Sequence, residues 1–332
     1  MPDARDADDG CIGELRGRGL RPGEGRQLWA ERFDKPRDIF DMQDEITPRL
    51  ARSIGIELVA AEGRRAERER PANVDAVDLT LRGRAILNRP PSVENAQAAR
   101  ALFEAALRLD DRDAEALVGL AGSHIFEVRT FASTEPAKQV RAAEAAIDKA
   151  LTLVPDSAYA HCVRAEVLFL MRAPERALEE CQLAIALDRN LPWAHANTGV
   201  MKLMTGRCEE TEPHIAEAIR LSPRDPALSS WYRMMGIANV FLGRCDRAIE
   251  QLRRSIAMNS QIPLTRFVLA AALALTGRMT EAGEARDAGL VLDPNFSVAR
   301  YRNDRRSDNP VFLQQRERMI EGLREACVPE GQ

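Results

Sequence analysis

The chain has 332 residues, of which 45% are hydrophobic, 30% are charged and only 5% are aromatic. Many Ala, Leu and Arg residues and few aromatic ones favour packed helices over β-sheets. A net charge of −4 and a pI near 5.8 give no electrostatic basis for direct nucleic-acid binding.

The N-terminus and the cysteines indicate the compartment. The first ten residues, MPDARDADDG, are acidic and polar, unlike the basic start of a signal peptide. No apolar run reaches the roughly 18 residues that span a bilayer. The six cysteines show no CxxC pair and no metal-ligand spacing, which favours reduced thiols. These observations predict a cytoplasmic protein without membrane association.

The first 70 residues differ in pattern from the rest. Residues 1–25 are rich in Gly, Asp and Arg without a hydrophobic period, which predicts disorder or the remnant of a larger domain. Residues 26–70 form a junction and linker. Within it, Gln27–Ala30 has the composition of a strand end, and Asp44–Leu58 carries one apolar residue per helical turn, which predicts an amphipathic helix. Mixed charges at 60–70 indicate a solvated linker, with a basic patch as the less favoured interpretation.

A repeating pattern then organises the chain from residue 158 to residue 296. Its units are Ala158–Leu191, Pro192–Asp225, Ser229–Ile262 and Pro263–Phe296, each 34 residues long. Self-similarity at this fixed period predicts stacked pairs of antiparallel helices. Residues 71–157 read as two divergent units with an insertion near Arg129–Pro136.

Small residues and turn residues fix the register of the units. Paired helices that cross closely need small side chains at the crossing. The small residues are Ala165, Ala177 and Ala184; Gly199, Thr211 and Ala218; Gly236, Ala248 and Ser255; and Ala270, Ala282 and Gly289. The first helix of a unit should end at Gly206, Gly243 or Gly277, where a left-handed residue is favoured. For residues 297–332 we predict a polar loop, a helix from about Asn309 that caps the last repeat, and a tail.

This pattern resembles the tetratricopeptide repeat. The resemblance implies an all-α fold, a right-handed solenoid of antiparallel helix pairs, with a short irregular N-terminal segment. Upstream, LWAERFD and IFDMQDEI are similar to the junction between a TolB-like segment and such repeats in bacterial class III adenylate/guanylate cyclases and winged-helix regulators. In that family the catalytic or DNA-binding domain lies upstream of the junction, and here only about 25 unpatterned residues precede it.

No motif for catalysis or cofactor binding is recognisable. The chain has no GxxxxGK[ST] loop, no GxGxxG after a strand and no GxSxG elbow. The histidines, without HxxxH spacing or paired cysteines, are expected to be structural. They are His124, His161, His195 and His214. We therefore predict no catalytic residue, no cofactor and no metal.

The first helix of each unit should line the inner surface of the solenoid. The residues predicted to face a partner there are Tyr159, Glu166, Phe169, Trp193, Asn197, Arg233, Ile237 and Phe267. For Phe169, Trp193 and Phe267, burial between repeats is an equal alternative. The functional interpretation is an apolar groove with a few charges that binds a protein or peptide.

The leading hypothesis is therefore a non-catalytic protein–protein interaction scaffold, the regulatory repeat region of a bacterial signalling protein. Two alternatives stay open. The chain is part of an adenylate/guanylate cyclase, or part of a transcriptional regulator whose output domain is missing. Self-association is a further open interpretation.

Overall fold

The described part of the chain is an α-solenoid preceded by a β-hairpin. The computed structural model describes residues 12–18, 27–34, 75–89, 92–129 and 133–331. The helix predicted at Asp44–Leu58 and the linker predicted at 60–70 lie outside the described residues.

The hairpin consists of two antiparallel strands. β1 spans Ile12–Arg18 and β2 spans Gln27–Asp34, with Ile12 opposite Asp34. β2 contains the strand end predicted at Gln27–Ala30. β1 lies within residues 1–25, for which disorder and the remnant of a larger domain were the two interpretations. A strand is stabilised by its neighbour more than by its own composition, so the local pattern did not indicate it.

Helices account for the rest of the described chain. The first six are α1 (Ala76–Leu87), α2 (Val93–Leu109), α3 (Ala114–Arg129), α4 (Pro136–Leu153), α5 (Ala158–Leu170) and α6 (Pro174–Leu187). The next six are α7 (Pro192–Met204), α8 (Thr211–Leu221), α9 (Leu228–Phe241), α10 (Cys245–Met258), α11 (Pro263–Ala274) and α12 (Met279–Leu292). Each odd-numbered helix of this series packs on the helix that follows it, and successive pairs stack. Two further helices close the chain, α13 (Val298–Asn303) and α14 (Pro310–Glu325).

The turns inside the units follow the predicted chemistry. Gly206, Gly243 and Gly277 have φ values of 77°, 73° and 75°, the left-handed conformation that ends a helix without a Cβ clash. The unit of α5 and α6 has Arg172 at this turn, with a φ of 61°. Arg172 therefore adopts the same turn geometry, although the left-handed conformation is unfavourable for a residue with a Cβ atom.

Small residues allow close helix crossings, and the structure buries them. Of the small residues named above, Ala165, Ala177, Ala184, Ala218, Ala248, Ala270 and Ala282 have no exposed surface. Gly199 and Gly236 are also buried. A Cβ added at Gly236 would lie 2.6 Å from Cγ of Leu252 on the paired helix. The space at the crossing is thus already filled by the branched side chain opposite.

The C-terminal helix packs against the last repeat and extends beyond it. We predicted that α14 covers the last repeat. It packs along α11 of that repeat and also along α9, and its first turn reaches the turn that follows α7. Val311 lies against Gly206, the ring centroids of Phe312 and Phe241 are 5.8 Å apart, and Gly322 lies against Ala271. α14 therefore packs against the first helices of two units and reaches the turn of a third.

Arg316 attaches α14 to the segment before it. Its side chain is buried, and its guanidinium donates to the carbonyl oxygens of Arg302 (3.1 Å), Asp304 (3.0 Å) and Tyr301. The guanidinium carbon also lies 4.5 Å from the centroid of the Tyr301 ring. These carbonyls belong to the end of α13, where the helix leaves its last acceptors unpaired. One side chain thus satisfies a helix end and fixes the position of α14.

The two glycines Gly236 and Gly122 provide a matched test of the crossing. Gly236→Ala should lower the free energy of unfolding by about 1–3 kcal/mol, since Leu252 must move. Gly122→Ala has no neighbouring atom within 4 Å and should raise it by roughly 0.5–1 kcal/mol through helix propensity. Chemical denaturation measures both. Equal effects of the two substitutions would show that the crossing is looser than described.

Arg316→Met should destabilise the attachment of α14. Three carbonyl oxygens lose a charged donor, so we expect a loss of about 2–3 kcal/mol in the free energy of unfolding. Amide hydrogen exchange should also become faster in α13 and α14, whereas exchange in α3 should stay unchanged. Gln314→Met, at an exposed position of the same helix, is the control and should change neither measurement. Unchanged exchange in Arg316→Met would contradict the anchoring role.

Candidate functional site

The open part of the inner surface runs along the first helices α3, α5, α7 and α9. From the C-terminal end of α9 onward, at Phe241, α14 covers the corresponding faces. The inner surface is therefore divided into a region filled by the chain's own helix and an open region. The candidate site lies in the open region.

A polar chain links three of these helices. Nη1 of Arg129 on α3 donates to Oε2 of Glu166 on α5 at 2.9 Å. Nδ2 of Asn197 on α7 lies 3.4 Å from Oε1 of Glu166 and 3.4 Å from the carbonyl oxygen of Cys162. Glu166 is mostly shielded from water, so its ion pair with Arg129 is less screened than one at the surface. The predicted residues Glu166 and Asn197 are thus brought together.

Arg233 on α9 faces the same space without a partner. Among the described residues, no hydrogen bond or ion pair to its guanidinium is found, and its Nε is buried and unsatisfied. Burial, together with the like charge of Arg129, lowers the pKa of Arg233 to about 10. At neutral pH the side chain is nevertheless charged, so the open region contains an uncompensated positive charge.

The other predicted groove residues divide between surface and core. Tyr159 is 42% exposed. Phe169 and Trp193 are partly buried, and each packs against two clusters of the core. Ile237 belongs to the buried core with 9% of its surface exposed.

Phe267 follows the alternative that was given equal weight, burial in the core. It is fully buried, and its ring stacks on Phe296 with centroids 3.8 Å apart. A Cβ at Gly289 would lie 2.9 Å from the Phe267 ring. The small residue at the helix crossing therefore forms the space that this ring fills, which turns Phe267 inward.

Arg129 was not among the predicted site residues. It lies at the end of α3, beside the insertion in a divergent unit, where the repeat pattern gives no register. Its pairing with Glu166 on the next unit is a contact that only the folded structure shows.

Two histidines have repeated structural roles. His161 and His195 occupy equivalent positions on α5 and α7. Nε2 of His161 lies 2.9 Å from the carbonyl oxygen of Pro155, and Nε2 of His195 lies 2.8 Å from that of Arg189. Nδ1 of His161 also lies 2.6 Å from Oε2 of Glu180. Each ring thus ties the start of a first helix to the turn before it.

Metal-binding groups and reactive thiols were sought among the described residues. Within them, no group of three His, Cys, Asp or Glu side chains could hold a metal ion. Burial raises the pKa of the Cys208 thiol to about 12 and raises that of Cys181 further, so neither is a reactive thiolate at neutral pH. None of the described helices has the length and apolar character needed to cross a bilayer.

Comparison with known proteins identifies the repeats. A family model for the tetratricopeptide repeat matches residues 137–192 and 233–295. The matched segments include α4 to α6 and most of α9 to α12. The fold of the described helices is thus an α-solenoid of the tetratricopeptide-repeat type.

One curated relative is a Rhizobium meliloti (strain 1021) protein that carries the name of an adenylate cyclase. The two sequences are 32% identical over 101 residues, which is 30% of this chain and 16% of the relative. The chain therefore spans less than a fifth of that protein. This similarity agrees with the resemblance to the repeat region of such cyclases.

Solved structures show the same fold. The APC/C hetero-tetramer Cut9–Hcn1 matches with a TM-score of 0.59 and 18% identity, over 76% of this chain and 46% of that chain. The human IFIT1 dimer with m7Gppp-AAAA matches with a TM-score of 0.59 and 16% identity, over 75% and 58%. At these identities the similarity concerns the fold alone.

Arg233→Met should stabilise the protein. The substitution removes an unpaired charge that is partly withdrawn from water and keeps a side chain of similar length. We expect the melting temperature to rise by about 1–2 °C, the shift that roughly 1 kcal/mol produces in a chain of 332 residues. Arg253→Met on α10 removes an exposed arginine that pairs with Glu281 at 2.6 Å, and should have little effect. A lower melting temperature for Arg233→Met would indicate a structural partner for this arginine.

Proposed function

We propose that the chain is a non-catalytic interaction scaffold that holds a partner protein on the open inner surface from α3 to α9, as the regulatory repeat region of a bacterial signalling protein. The observation that supports this most directly is Arg233. A charge without a partner destabilises the free protein, and a bound partner can compensate it. The proposal places the protein in the cytoplasm, where its free cysteines stay reduced.

The shape of the inner surface also supports a protein partner. Stacked repeats form extended concave surfaces to which partners bind. Here α14 covers the inner faces of α9 and α11 with an amphipathic helix of 16 residues. The inner faces of α9 and α11 therefore accommodate the apolar side of a helix.

A role in cyclic nucleotide signalling is the specific form of the proposal that the adenylate cyclase relative favours. In this form the chain regulates or recruits a cyclase and does not itself form cyclic nucleotide. A cyclase assay with the purified chain, ATP or GTP, and Mg²⁺ or Mn²⁺ should give no product. Product formation above that of a heat-denatured control would favour the enzymatic alternative.

Capture of partners tests the scaffold function. The purified chain is immobilised beside a double variant, Tyr159→Ser with Arg233→Ala, and proteins retained from bacterial lysate are identified by mass spectrometry. Tyr159 is preferred to Trp193 because Trp193 packs against the core and its replacement would destabilise the repeat. We expect at least one protein to be retained by the wild type and lost, by tenfold or more, with the double variant.

An outer-surface double variant controls for altered surface charge. Arg253→Met with Leu187→Ser changes two exposed side chains on second helices and should retain the same partner. Binding should then be reproduced with the purified partner. Failure to find a protein that distinguishes the inner from the outer variant would contradict the proposal.

A further inference from the structure

We propose that the outer edge of β1 is a self-association surface, through which two copies of this chain join their hairpins into one four-stranded antiparallel sheet. The strand order of that sheet is β2–β1–β1–β2, with a two-fold axis between the two β1 strands. The inference goes beyond the proposed scaffold function and does not depend on whether the repeats bind a partner. It is based on the pairing of the hairpin strands and on their charges.

The hairpin has one unpaired edge on each strand. Among the described residues, β1 and β2 pair only with each other, so each strand uses its backbone groups on one side. A two-stranded hairpin is marginally stable by itself in water, and a third strand or a packed helix is needed for independent stability. A free edge presents a row of N–H and C=O groups with which another strand can pair. The geometry of the hairpin therefore favours the addition of a further strand.

A two-fold axis restricts how β1 can pair with a second copy of itself. In an antiparallel pair, the N–H and C=O groups of directly opposite residues either both face the other strand or both face away. These directions alternate along a strand, so the residue at the two-fold axis must lie opposite its own copy. Leu15 is the central residue of the seven in β1. A pair centred on Leu15 therefore overlaps the whole strand.

This register places opposite charges across from each other. With Leu15 opposite its own copy, Glu14 of each chain lies opposite Arg16 of the other, and Gly13 lies opposite Gly17. Opposite charges directly across an antiparallel pair stabilise it, whereas like charges destabilise it. Moving the centre by one residue would place either Glu14 opposite Glu14 or Arg16 opposite Arg16. The charges of β1 therefore favour the register with the largest overlap.

β2 has no equivalent register. Its largest symmetric overlaps are centred on Ala30 or on Glu31. The first forms no pair of opposite charges, and the second places the Glu31 carboxylate opposite its own copy, which is destabilising. Charge complementarity thus selects the edge of β1, and a second copy of this chain as the partner.

Sedimentation velocity of the full chain over a range of concentrations tests the interface with two charge variants. Arg16→Glu puts two carboxylates opposite each other between the copies, and within the hairpin position 16 lies opposite the uncharged Ala30. Glu14→Arg combined with Arg32→Glu puts two guanidinium groups opposite each other between the copies. Because Glu14 pairs with Arg32 inside the hairpin, the combination keeps opposite charges there.

We expect the wild type to dimerise reversibly with a dissociation constant on the order of 10–100 μM, since an interface of this kind is small. Each variant should weaken dimerisation by about tenfold or more. An equimolar mixture of the two variants should regain the affinity of the wild type, because each chain supplies the charges that the other lacks. Arg18→Glu is the matched control. It changes the charge of β1 as Arg16→Glu does but lies opposite Ile12 of the second copy, so it should dimerise like the wild type.

Cross-linking at the two-fold axis checks the register. Leu15→Cys is introduced after Cys11 and Cys327 have been replaced by serine, and Gly13→Cys in the same background is the control. Opposite Cα atoms in an antiparallel pair lie about 4.5–5.5 Å apart, within the range of a disulfide. The two copies of position 13 would be about 13 Å apart along the strands. With copper phenanthroline as the oxidant, Leu15→Cys should form a covalent dimer and Gly13→Cys should not.

Three outcomes would overturn the inference. A chain that stays monomeric well above the expected dissociation constant, without a cross-link at position 15, would show that the edge of β1 does not bind a second copy. Dimerisation that both charge variants leave unchanged would place the interface in the repeats. Equal weakening by Arg16→Glu and Arg18→Glu would indicate a general effect of charge in place of the proposed register.

Discussion

The structure depends on the close crossing of two helices within each repeat. Small residues at the crossing allow the backbones to approach, and a large side chain from the paired helix fills the space, as Leu252 does beside Gly236 and Phe267 beside Gly289. A single unit leaves an apolar face exposed, so neighbouring units must stack to bury it. The constant geometry of the crossing makes the stack regular, and the regular stack produces a curved inner surface.

The inner surface is used in two ways. Over α9 and α11 it holds α14, which is fixed at its base by the hydrogen bonds of Arg316 to the end of α13. Over α3 to α9 it carries the ion pair of Arg129 with Glu166 and the unpaired Arg233. The first region contributes to stability because its apolar residues are buried. The second reduces stability through an uncompensated charge, which is typical of surfaces whose partner is another molecule. The proposed function thus assigns stability and binding to different parts of one continuous solenoid.

The candidate site was only partly predictable. Glu166, Asn197 and Arg233 were expected on the inner surface because the repeat register places them on first helices, and the structure shows how their side chains are paired. Phe267 has the same kind of position but is buried, since Gly289 and Phe296 make a space for its ring. Arg129 lies beside an insertion where the register is undefined, so only the folded structure shows its pairing with Glu166. β1 was not predicted because a strand depends on the neighbour with which it pairs.

The sequence by itself determined the class of fold, the helix pairs and their turns. These elements follow from local features: the repeat period, the small residues at the helix crossings and the glycines at the turns. Each feature acts within one unit of 34 residues. The tertiary structure alone decided the course of α14 across three units, the burial of Phe267 and the absence of a described partner for Arg233. These depend on distances between residues far apart in the chain. A repeat pattern specifies how each unit packs on the next. Contacts between side chains of distant units depend on the arrangement of the whole stack.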